Sequence, residues 1–478
     1  MDGQELTITG VLGERGDMQA TVRIERYADQ GRCIGHIDGR VVFVRFALPG
    51  ELDEVVLDEP HERKDRFWTG EVVAVHEASA ERVSPAWQLA GPLAQGGGVG
   101  GADLIHVSLA GQLAWKSKVV TEQLRRLGHC DVEDVPVDRI PGDEQSRGLH
   151  WRTRISLIAD EEGRPSMRRR QSHHRVPIDT MPLASEAALA VANRAGLFDG
   201  GFEPGADIHL AVPEPRRQAT VSASSSLHDA AEDGSAAVVS DRHEWRDRHE
   251  SSLVDIGENY AVLVNGVVTA GRPLLHESVD VLGRRFDYTV RADGFWQVHR
   301  QAPLVLPRYV IDRVRALLDD RDHAVIWDLY SGAGLFTLPL ARCTVGHPRL
   351  LSVEGSRPAV EQAVANLERA GVGDVEARTG DVAHVLRHVP KHLAHPDIVV
   401  LDPPRAGARA DVCRRISASG AMGVVYVACD PTSLARDTAT LTREGYTLRD
   451  VHAFDIYPMT HHVETVAVFV RGERGERR

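Results

Sequence analysis

The sequence predicts an α/β protein in which a doubly wound parallel sheet forms the C-terminal part, preceded by a small β-barrel and an α+β central region. Short apolar runs at 324–329, 350–353, 398–401 and 423–428 predict the buried parallel strands, with helical segments between them. Several strand-like runs between residues 5 and 83, with no helix between them, predict the barrel.

The N-terminal segment, residues 5–83, is expected to form that barrel. Alternating runs at 20–24 and 41–44 predict short strands, and the glycine-punctuated stretch at 31–39 predicts a turn. Acidic residues outnumber basic ones in this segment. A barrel that only packs against the rest of the chain therefore stays an alternative to one that binds a ligand.

The central region is expected to span residues 84–295. It contains a helical pattern at 109–127 and an alternating, strand-like pattern at 151–157. Residues 222–252 are rich in Ser, Ala, Asp, Glu and His and poor in apolar residues, so we expect a disordered insertion there. The dense basic stretch at 168–175 is typical either of a solvated hairpin or of a surface that contacts phosphates.

A glycine-containing corner follows the first strand of the C-terminal sheet. Gly332 and Gly334 would let the backbone approach a ligand closely, and the helix that follows offers free N–H groups. Glu354 ends the next apolar run, at the position where a nucleotide ribose would be held. Because the glycine pattern is short of a full dinucleotide fingerprint, an ordinary strand–helix corner remains an alternative.

Two further strands also end in chemically active residues. Asp402 follows the run at 398–401, and Cys429 follows the run at 423–428. The carboxyl ends of parallel strands converge on one crevice in a doubly wound sheet. We therefore expect Asp402 and Cys429 to face the same ligand site as the glycine corner.

Four motifs in a fixed order resemble one known family. They are Asp-Leu-Tyr-Ser-Gly-Ala-Gly (328–334), Asp-Pro-Pro-Arg-Ala-Gly (402–407), Ala-Cys-Asp-Pro-Thr-Ser-Leu-Ala-Arg-Asp (428–437) and His-His-Val-Glu-Thr (461–465). The chain resembles, over nearly its whole length, the class I S-adenosylmethionine-dependent RNA methyltransferases that form 5-methyluridine. The resemblance implies a Rossmann-like catalytic domain at 296–478 and an N-terminal barrel that looks like an RNA-binding TRAM domain.

The same resemblance implies which residues bind S-adenosylmethionine. By position in the motifs these are Gln297, Tyr330, Gly332, Gly334, Glu354, Asp381 and Asp402. In the family, the residue matching Gln297 contacts either the cofactor or the target base. This chain departs from the family pattern at His299 and Leu335, where Asn is common, so the roles of those two positions are open.

Methylation of uracil at carbon 5 requires a nucleophile and a base. Carbon 5 reacts poorly until a thiolate adds to carbon 6 and converts the ring to an enolate. The resemblance assigns the thiolate to Cys429 and the general base to Glu464. The helix that follows Cys429 is expected to stabilise the thiolate through its N-terminal dipole, although a buried structural cysteine is the alternative.

No metal centre is expected. Many relatives in the family hold an iron–sulfur cluster with four cysteines, whose positions here are Trp87, Val99, Ala102 and Met181. Iron–sulfur clusters need thiolates, which these side chains do not supply, so we expect apolar packing in place of a cluster. The adjacent histidines 461 and 462 would face opposite ways on a strand, which argues against zinc.

Composition restricts the class of protein and its partners. The chain has 478 residues with 56 Lys+Arg against 69 Asp+Glu, a net charge of −13 that argues against bulk attraction to nucleic acid. An RNA substrate would therefore be held by local basic patches. Five cysteines without paired spacing, no apolar run long enough for a membrane span and no signal-peptide pattern predict a cytoplasmic protein, which we expect to be a monomer.

Three functions remain open from the sequence. The first is methylation of a uridine in rRNA or tRNA, the reaction that the four motifs favour. The second is a catalytically idle RNA-binding protein of the same fold, which the presence of both Cys429 and Glu464 disfavours. The third is a small-molecule methyltransferase, which the acidic net charge favours and the N-terminal barrel disfavours.

Overall fold

The computed structural model describes residues 18–58, 66–170, 172–215, 257–319 and 321–472. The insertion expected at 222–252 lies outside the described residues. Within them, no helix combines the length and the apolar character that crossing a membrane requires.

The N-terminal barrel consists of five strands, namely β1 (Gln19–Tyr27), β2 (Arg32–Ile37), β3 (Arg40–Arg45), β4 (Leu52–Leu57) and β5 (Phe67–Glu77). They close in the order β1-β2-β3-β5-β4. Alternate side chains are buried along β4, as expected for a strand with one face in the barrel core. The predicted small barrel is confirmed.

The predicted turn at 31–39 was wrong, because β2 occupies most of this stretch. Gly31 and Gly39 have positive φ angles of 66° and 75°, so the glycines serve the two turns at its ends. Between them Cys33 and Ile37 are buried in the barrel core. The glycines therefore mark both ends of a short strand.

In its described residues, the central region combines one main sheet with two α-helices. Its elements are α1 (Leu109–Arg126), β6 (Val137–Arg139), β7 (Arg154–Ala159), β8 (Pro165–Arg168), β9 (Arg175–Pro177), α2 (Glu186–Arg194), β10 (Asp207–Ala211), β11 (Ala261–Val264), β12 (Val267–Gly271), β13 (Leu274–Val281) and β14 (Arg284–Arg291). The main sheet has the order β12-β11-β10-β7-β8-β9, and β13 pairs with β14 as a separate hairpin.

The C-terminal part is the predicted doubly wound sheet. Its elements are α3 (Ala302–Leu318), β15 (Val325–Leu329), α4 (Thr337–Cys343), β16 (Arg349–Glu354), α5 (Arg357–Arg369), β17 (Val375–Thr379), α6 (Val382–Val385), β18 (Ile398–Leu401), α7 (Arg409–Ser419), β19 (Gly423–Ala428), α8 (Pro431–Arg443), β20 (Tyr446–Asp455) and β21 (Glu464–Arg471). The sheet order is β17-β16-β15-β18-β19-β21-β20-β6. The fold class expected from the sequence is confirmed.

The centre of this sheet explains where a ligand site can form. The strands β15, β18 and β19 are buried along their whole length and are rich in Val and Ile, as strands covered on both faces must be. β15 pairs in parallel with β16 on one side and with β18 on the other. The chain therefore reverses its direction of winding at β15, and a crevice opens at the carboxyl ends of β15 and β18.

One segment of the central region belongs structurally to the C-terminal sheet. β6 pairs in parallel with β20, and α1 packs against α8. The Nζ of Lys116 in α1 forms a fully buried ion pair with Asp455 at the end of β20, and it also donates to the Tyr457 carbonyl at 3.0 Å. The domain boundaries at 83/84 and 295/296 remain predictions from the sequence.

We predict that Lys116→Ala lowers the free energy of unfolding by about 3 kcal/mol, because it leaves the carboxylate of Asp455 buried with Arg139 as its one remaining ionic partner among the described residues. Chemical denaturation followed by circular dichroism measures this change. Lys118→Ala is the matched control, since Lys118 lies two residues further along α1 and forms an exposed ion pair with Asp134. Equal effects of the two substitutions would contradict the prediction.

Candidate active site

The loop after β15 shapes the floor of the crevice. Tyr330 and Gly332 have positive φ angles of 62° and 54°. For a bulky residue such as Tyr330 this conformation is strained, which is common at ligand sites. A Cβ atom added to Gly332 would meet nothing within 4 Å, so the glycine leaves its backbone open to the crevice. Backbone N–H groups can therefore reach a ligand at this point.

Glu354 ends β16 beside this loop. Its carboxylate accepts hydrogen bonds from the backbone N–H groups of Gly332, at 3.1 Å, and Ser356, at 2.7 Å. These bonds fix the carboxylate at the rim of the crevice and leave lone pairs for further donors. Asp381 has a comparable place after β17, where its side chain accepts from the His384 N–H at 2.9 Å and caps α6. Both acids are suited to hydroxyl or amine groups of a ligand.

A cavity of 1060 Å³ joins these groups. Eight of the nine residues expected at the site line it, and they are Gln297, Tyr330, Gly332, Glu354, Asp381, Asp402, Cys429 and Glu464. Gly334 is the exception, because its Cα faces Ala363 of α5, to which an added Cβ would lie at 3.6 Å. With a φ of 91°, Gly334 completes the turn into α4. Its assignment to the cofactor site stays a prediction.

Cys429 follows β19 and is half-buried in the cavity wall. Burial raises the pKa of its thiol to about 12, with the nearby carboxyl groups of Glu464 and Asp402 acting in the same direction. Stabilisation of a thiolate by the α8 N-terminus stays a prediction. Asp430 caps that helix by accepting from the Ser433 N–H at 2.7 Å, and its negative charge raises the pKa of the neighbouring thiol further.

Two carboxyl groups beside the thiol have perturbed pKa values. Glu464, the first residue of β21, is 3% exposed, and burial together with the charge of Asp402 raises its pKa well above the usual range. Burial, followed by the charges of Asp328 and Glu354, raises the pKa of Asp402 to about 7. Acidic groups of like charge therefore share a poorly solvated space. A cation bound there would lower all of these pKa values.

Gln297 is held at the cavity by backbone pairing. The segment that follows it hydrogen-bonds to the chain entering β7, through Thr153 N to the Val298 carbonyl at 2.8 Å and Arg300 N to the Trp151 carbonyl at 2.9 Å. His299 is fully buried, stacks on Trp151, and places its Nε2 2.9 Å from an oxygen of Asp143. Its side chain is part of the support for this segment and does not line the cavity.

Several residues of the cavity wall were not predicted from the sequence. Phe295 lines the cavity and is 75% exposed. Trp296, beside it, is buried. Leu335 also lines the cavity, so an apolar contact replaces the polar one that Asn would make. Arg405, Tyr457, His461 and His462 complete the wall near Cys429.

The four positions that correspond to cluster cysteines in the family are packed. Trp87, Val99, Ala102 and Met181 are all buried within one hydrophobic cluster, which confirms the expected apolar packing. Among the described residues, no group of three or more His, Cys, Asp or Glu side chains is arranged to hold a metal ion.

Arg170, in the basic stretch at 168–175, supports the loop that contains three of these positions, Trp87, Val99 and Ala102. It donates to the carbonyls of Ala90, Gly91 and Val99 at 3.2, 2.7 and 2.8 Å. Its guanidinium also lies over the ring of Phe46, with 4.5 Å between its carbon and the ring centroid. This arginine is therefore a structural tie between the loop and the barrel, whereas Arg168 remains exposed.

Models of two known families match the chain. The model described as tRNA (uracil-5-)-methyltransferase matches residues 266–472, and the TRAM domain model matches residues 19–63. The first match contains the whole crevice edge of the C-terminal sheet, and the second contains most of the barrel.

Similar proteins align along nearly their whole length. The chain is 61% identical to an uncharacterized RNA methyltransferase of Bifidobacterium longum, over 96% of this chain and 98% of the relative. It is 30% identical to the 23S rRNA (uracil(1939)-C(5))-methyltransferase RlmD of Chromohalobacter salexigens, over 97% of this chain and 92% of the relative.

A solved structure has the same fold. The tRNA (uracil-54, C5)-methyltransferase of Pyrococcus abyssi, in complex with S-adenosyl-L-homocysteine, superposes with a TM-score of 0.61 at 21% sequence identity. The match covers 95% of this chain and 100% of that chain. At 21% identity this similarity establishes a shared fold, that is, the arrangement of the barrel, the central region and the C-terminal sheet.

We predict that Asp402→Asn stabilises the protein in a pH-dependent way. At pH 8, above the raised pKa of about 7, the folded protein must hold a charged Asp402, so the amide should increase the free energy of unfolding by about 1–2 kcal/mol. At pH 5 the folded protein already holds the neutral acid, and the gain should fall to less than half.

Thermal or chemical denaturation at both pH values measures this effect, with Asp381→Asn as the exposed control in the same cavity. A gain that is equal at pH 5 and pH 8 would contradict the proposed burial of charge at Asp402.

Proposed function

Since the chain belongs to the tRNA (uracil-5-)-methyltransferase family, we propose that it transfers a methyl group from S-adenosylmethionine to carbon 5 of a uridine in RNA through a covalent adduct with Cys429. The observation that carries the proposal is the presence of Cys429 and Glu464 in one cavity with the glycine turn and its acids. A thiol, a base and a nucleotide-type binding loop are the groups that this reaction needs.

The polar groups that line the cavity are chemically suited to the cofactor. Glu354 would accept from the ribose hydroxyls, Asp381 would face the adenine, and Gly332 would bring its backbone close to the ligand. Asp402 would lie near the cationic methionine portion, where its charge is electrostatically favourable. When bound, S-adenosylmethionine supplies an electrophilic methyl group to carbon 5 and retains the electron pair of the broken carbon–sulfur bond.

Cys429 begins the reaction on the uracil ring. Because its pKa is about 12 in the free protein, the thiol is protonated there and unreactive. A positive charge placed beside Asp402 and Glu464 would lower the pKa of the thiol, which then loses its proton to solvent. The thiolate donates an electron pair to carbon 6, and the carbon 5–carbon 6 double-bond electrons move to give the enolate that carbon 5 needs for alkylation.

Glu464 completes the reaction as a general base. After carbon 5 is methylated, the carboxylate removes the proton at carbon 5. The electron pair of that carbon–hydrogen bond restores the double bond between carbon 5 and carbon 6 and expels the Cys429 thiolate. The raised pKa of Glu464 makes its carboxylate a stronger base than an exposed glutamate.

The substrate must present the target uridine outside a helix. A base stacked within a duplex cannot reach Cys429 in the wall of a cavity, so the uridine is either unpaired or flipped out. We propose a structured rRNA or tRNA as the substrate, a cytoplasmic monomer as the enzyme, and catalysis without an iron–sulfur cluster.

We predict that Cys429→Ala abolishes formation of 5-methyluridine while the protein still binds S-adenosylmethionine, because the alanine removes the nucleophile and leaves the cofactor side of the cavity intact. Nucleoside mass spectrometry of RNA from a deletion strain, incubated with each variant, measures the product, and calorimetry measures cofactor binding. Cys343→Ala is the matched control, since Cys343 is also half-buried and lies away from the cavity.

Turnover by Cys429→Ala would overturn the covalent route. An absence of 5-methyluridine with the wild-type enzyme, despite RNA binding, would favour an idle RNA-binding protein. Methylation of small molecules without methylation of RNA would favour a small-molecule methyltransferase.

We predict that Glu464→Gln accumulates a covalent complex with RNA, because the amide cannot remove the carbon 5 proton and the thioether to Cys429 persists. Denaturing gel electrophoresis with radiolabelled cofactor should show a labelled protein–RNA band. Glu368→Gln, an exposed change on α5, is the control and should give no such band. Full turnover by Glu464→Gln would refute the role of this residue.

A further inference from the structure

A second cavity, of 360 Å³, adjoins the candidate nucleophile. It shares Arg405, Cys429, His461 and His462 with the main cavity, and it extends from there to the N-terminal barrel. The barrel contributes Asp29, Gln30 and Arg32, from the turn between β1 and β2 and the first residue of β2. The residues proposed to bind the cofactor line the main cavity, so the cofactor and the target base would not fill this second cavity.

The turn of the barrel is held against the catalytic part of the chain. The Asp29 carboxylate accepts from the Thr432 hydroxyl of α8 at 3.0 Å, and Ala28 N donates to the Arg32 carbonyl at 2.7 Å. Gly31 has a φ of 66°, and a Cβ there would lie 2.9 Å from the Cβ of Asp103 and 3.5 Å from that of His461. The wall that carries Arg32 is therefore fixed relative to Cys429.

Arg32 has an unused donor in this wall. Its Nε is buried and finds no hydrogen-bond acceptor among the described residues. Burial and the charge of Arg45 lower the pKa of its guanidinium, and the charge of Asp58 offsets this only in part, so the group is incompletely compensated. A half-buried cation with an unused donor is costly unless an anion completes it.

The acids of the second cavity are already used as acceptors. Asp29 accepts from Thr432 and from the Gln30 N–H at 2.7 Å, and Asp430 accepts from the Ser433 N–H. His462 is neutral, since burial and the charges of His461 and Arg405 lower its pKa to about 3, and its Nε2 lies 3.0 Å from Arg405 Nη2. The Arg32 Nε is therefore the buried donor in this lining that finds no acceptor among the described residues.

We propose that the second cavity binds a phosphodiester group of the RNA next to the target uridine, with Arg32 as a donor to the phosphate. This inference rests on the proposed function, because a uridine at Cys429 must carry its backbone through an adjoining space. Guanidinium groups match phosphate oxygens in geometry and charge. A phosphate here would also fix the register of the RNA without reading its sequence, and it explains how a chain with a net charge of −13 holds RNA locally.

Three variants that each lower the net charge by one test this site. Arg32→Gln removes the proposed phosphate donor, and Gln30→Glu adds a carboxylate at an exposed position on the rim of the same cavity. Arg23→Gln is the matched control, because Arg23 lies on the barrel in an exposed pair with Glu77 and lines neither cavity. The probe is total RNA from a deletion strain, used for filter binding without cofactor and for methylation kinetics at several KCl concentrations.

Arg32→Gln and Gln30→Glu should each weaken RNA binding about three- to tenfold relative to Arg23→Gln. For Arg32→Gln, the slope of log affinity against log salt should become shallower by about 0.7 to 0.9, the contribution of one phosphate contact. The KM for RNA should rise more than kcat falls. Arg32→Lys should retain the salt slope of the wild type, because it retains the charge.

Binding and a salt slope for Arg32→Gln equal to those of Arg23→Gln would overturn the phosphate site even if the wild type forms 5-methyluridine. A fall in kcat without a change in the salt slope would also overturn it. If Arg32→Gln does not fold, normal RNA binding by Gln30→Glu overturns it. If the wild type forms no 5-methyluridine, the proposed function fails separately from the binding result.

Discussion

Burial of ionisable groups around Cys429 governs the chemistry of the crevice. The thiol, Asp402 and Glu464 lie in one poorly solvated space, where Glu464 and Asp402 raise the pKa of the thiol and Asp402 raises the pKa of Glu464. The free protein consequently holds the thiol and Glu464 in protonated, unreactive forms, whereas Asp402, with a pKa of about 7, is partly ionised at neutral pH. In the proposed mechanism, the charge of a bound cationic cofactor would convert the thiol to a nucleophile and Glu464 to a base. The reactive, charged forms of these groups would then arise only when the reactants are bound.

The rest of the fold holds this space in place. Arg170 ties the loop that contains Trp87, Val99 and Ala102 to the barrel, and the buried pair of Lys116 with Asp455 fixes the chain that runs toward Tyr457. The turn around Gly31 brings the barrel to the far side of Cys429. Through these contacts the barrel, central region and sheet form a single wall around two adjoining cavities, one suited to cofactor and base and the other to the RNA backbone.

Local sequence patterns predict the strands and their ends well, because short apolar runs bounded by turn residues, such as 398–401, are typical of buried strands. The convergence of Glu354, Asp402 and Cys429 follows from topology alone. The patterns do not predict contacts between distant segments, such as the pairing of β6 with β20 or the place of Gly334 against Ala363. They also miss the raised pKa of Cys429, since it depends on burial and on charges that arrive from other strands.

The central claim is that the sulfur of Cys429 bonds to the target uracil. Its most direct test is mass spectrometry of the enzyme after reaction with S-adenosylmethionine and RNA containing 5-fluorouridine, whose fluorine a carboxylate cannot remove as a proton. The account predicts a methylated fluorouridine adduct on the tryptic peptide 416–436, in which Cys429 is the single cysteine. An adduct at another residue, or none from enzyme that methylates ordinary RNA, would contradict it.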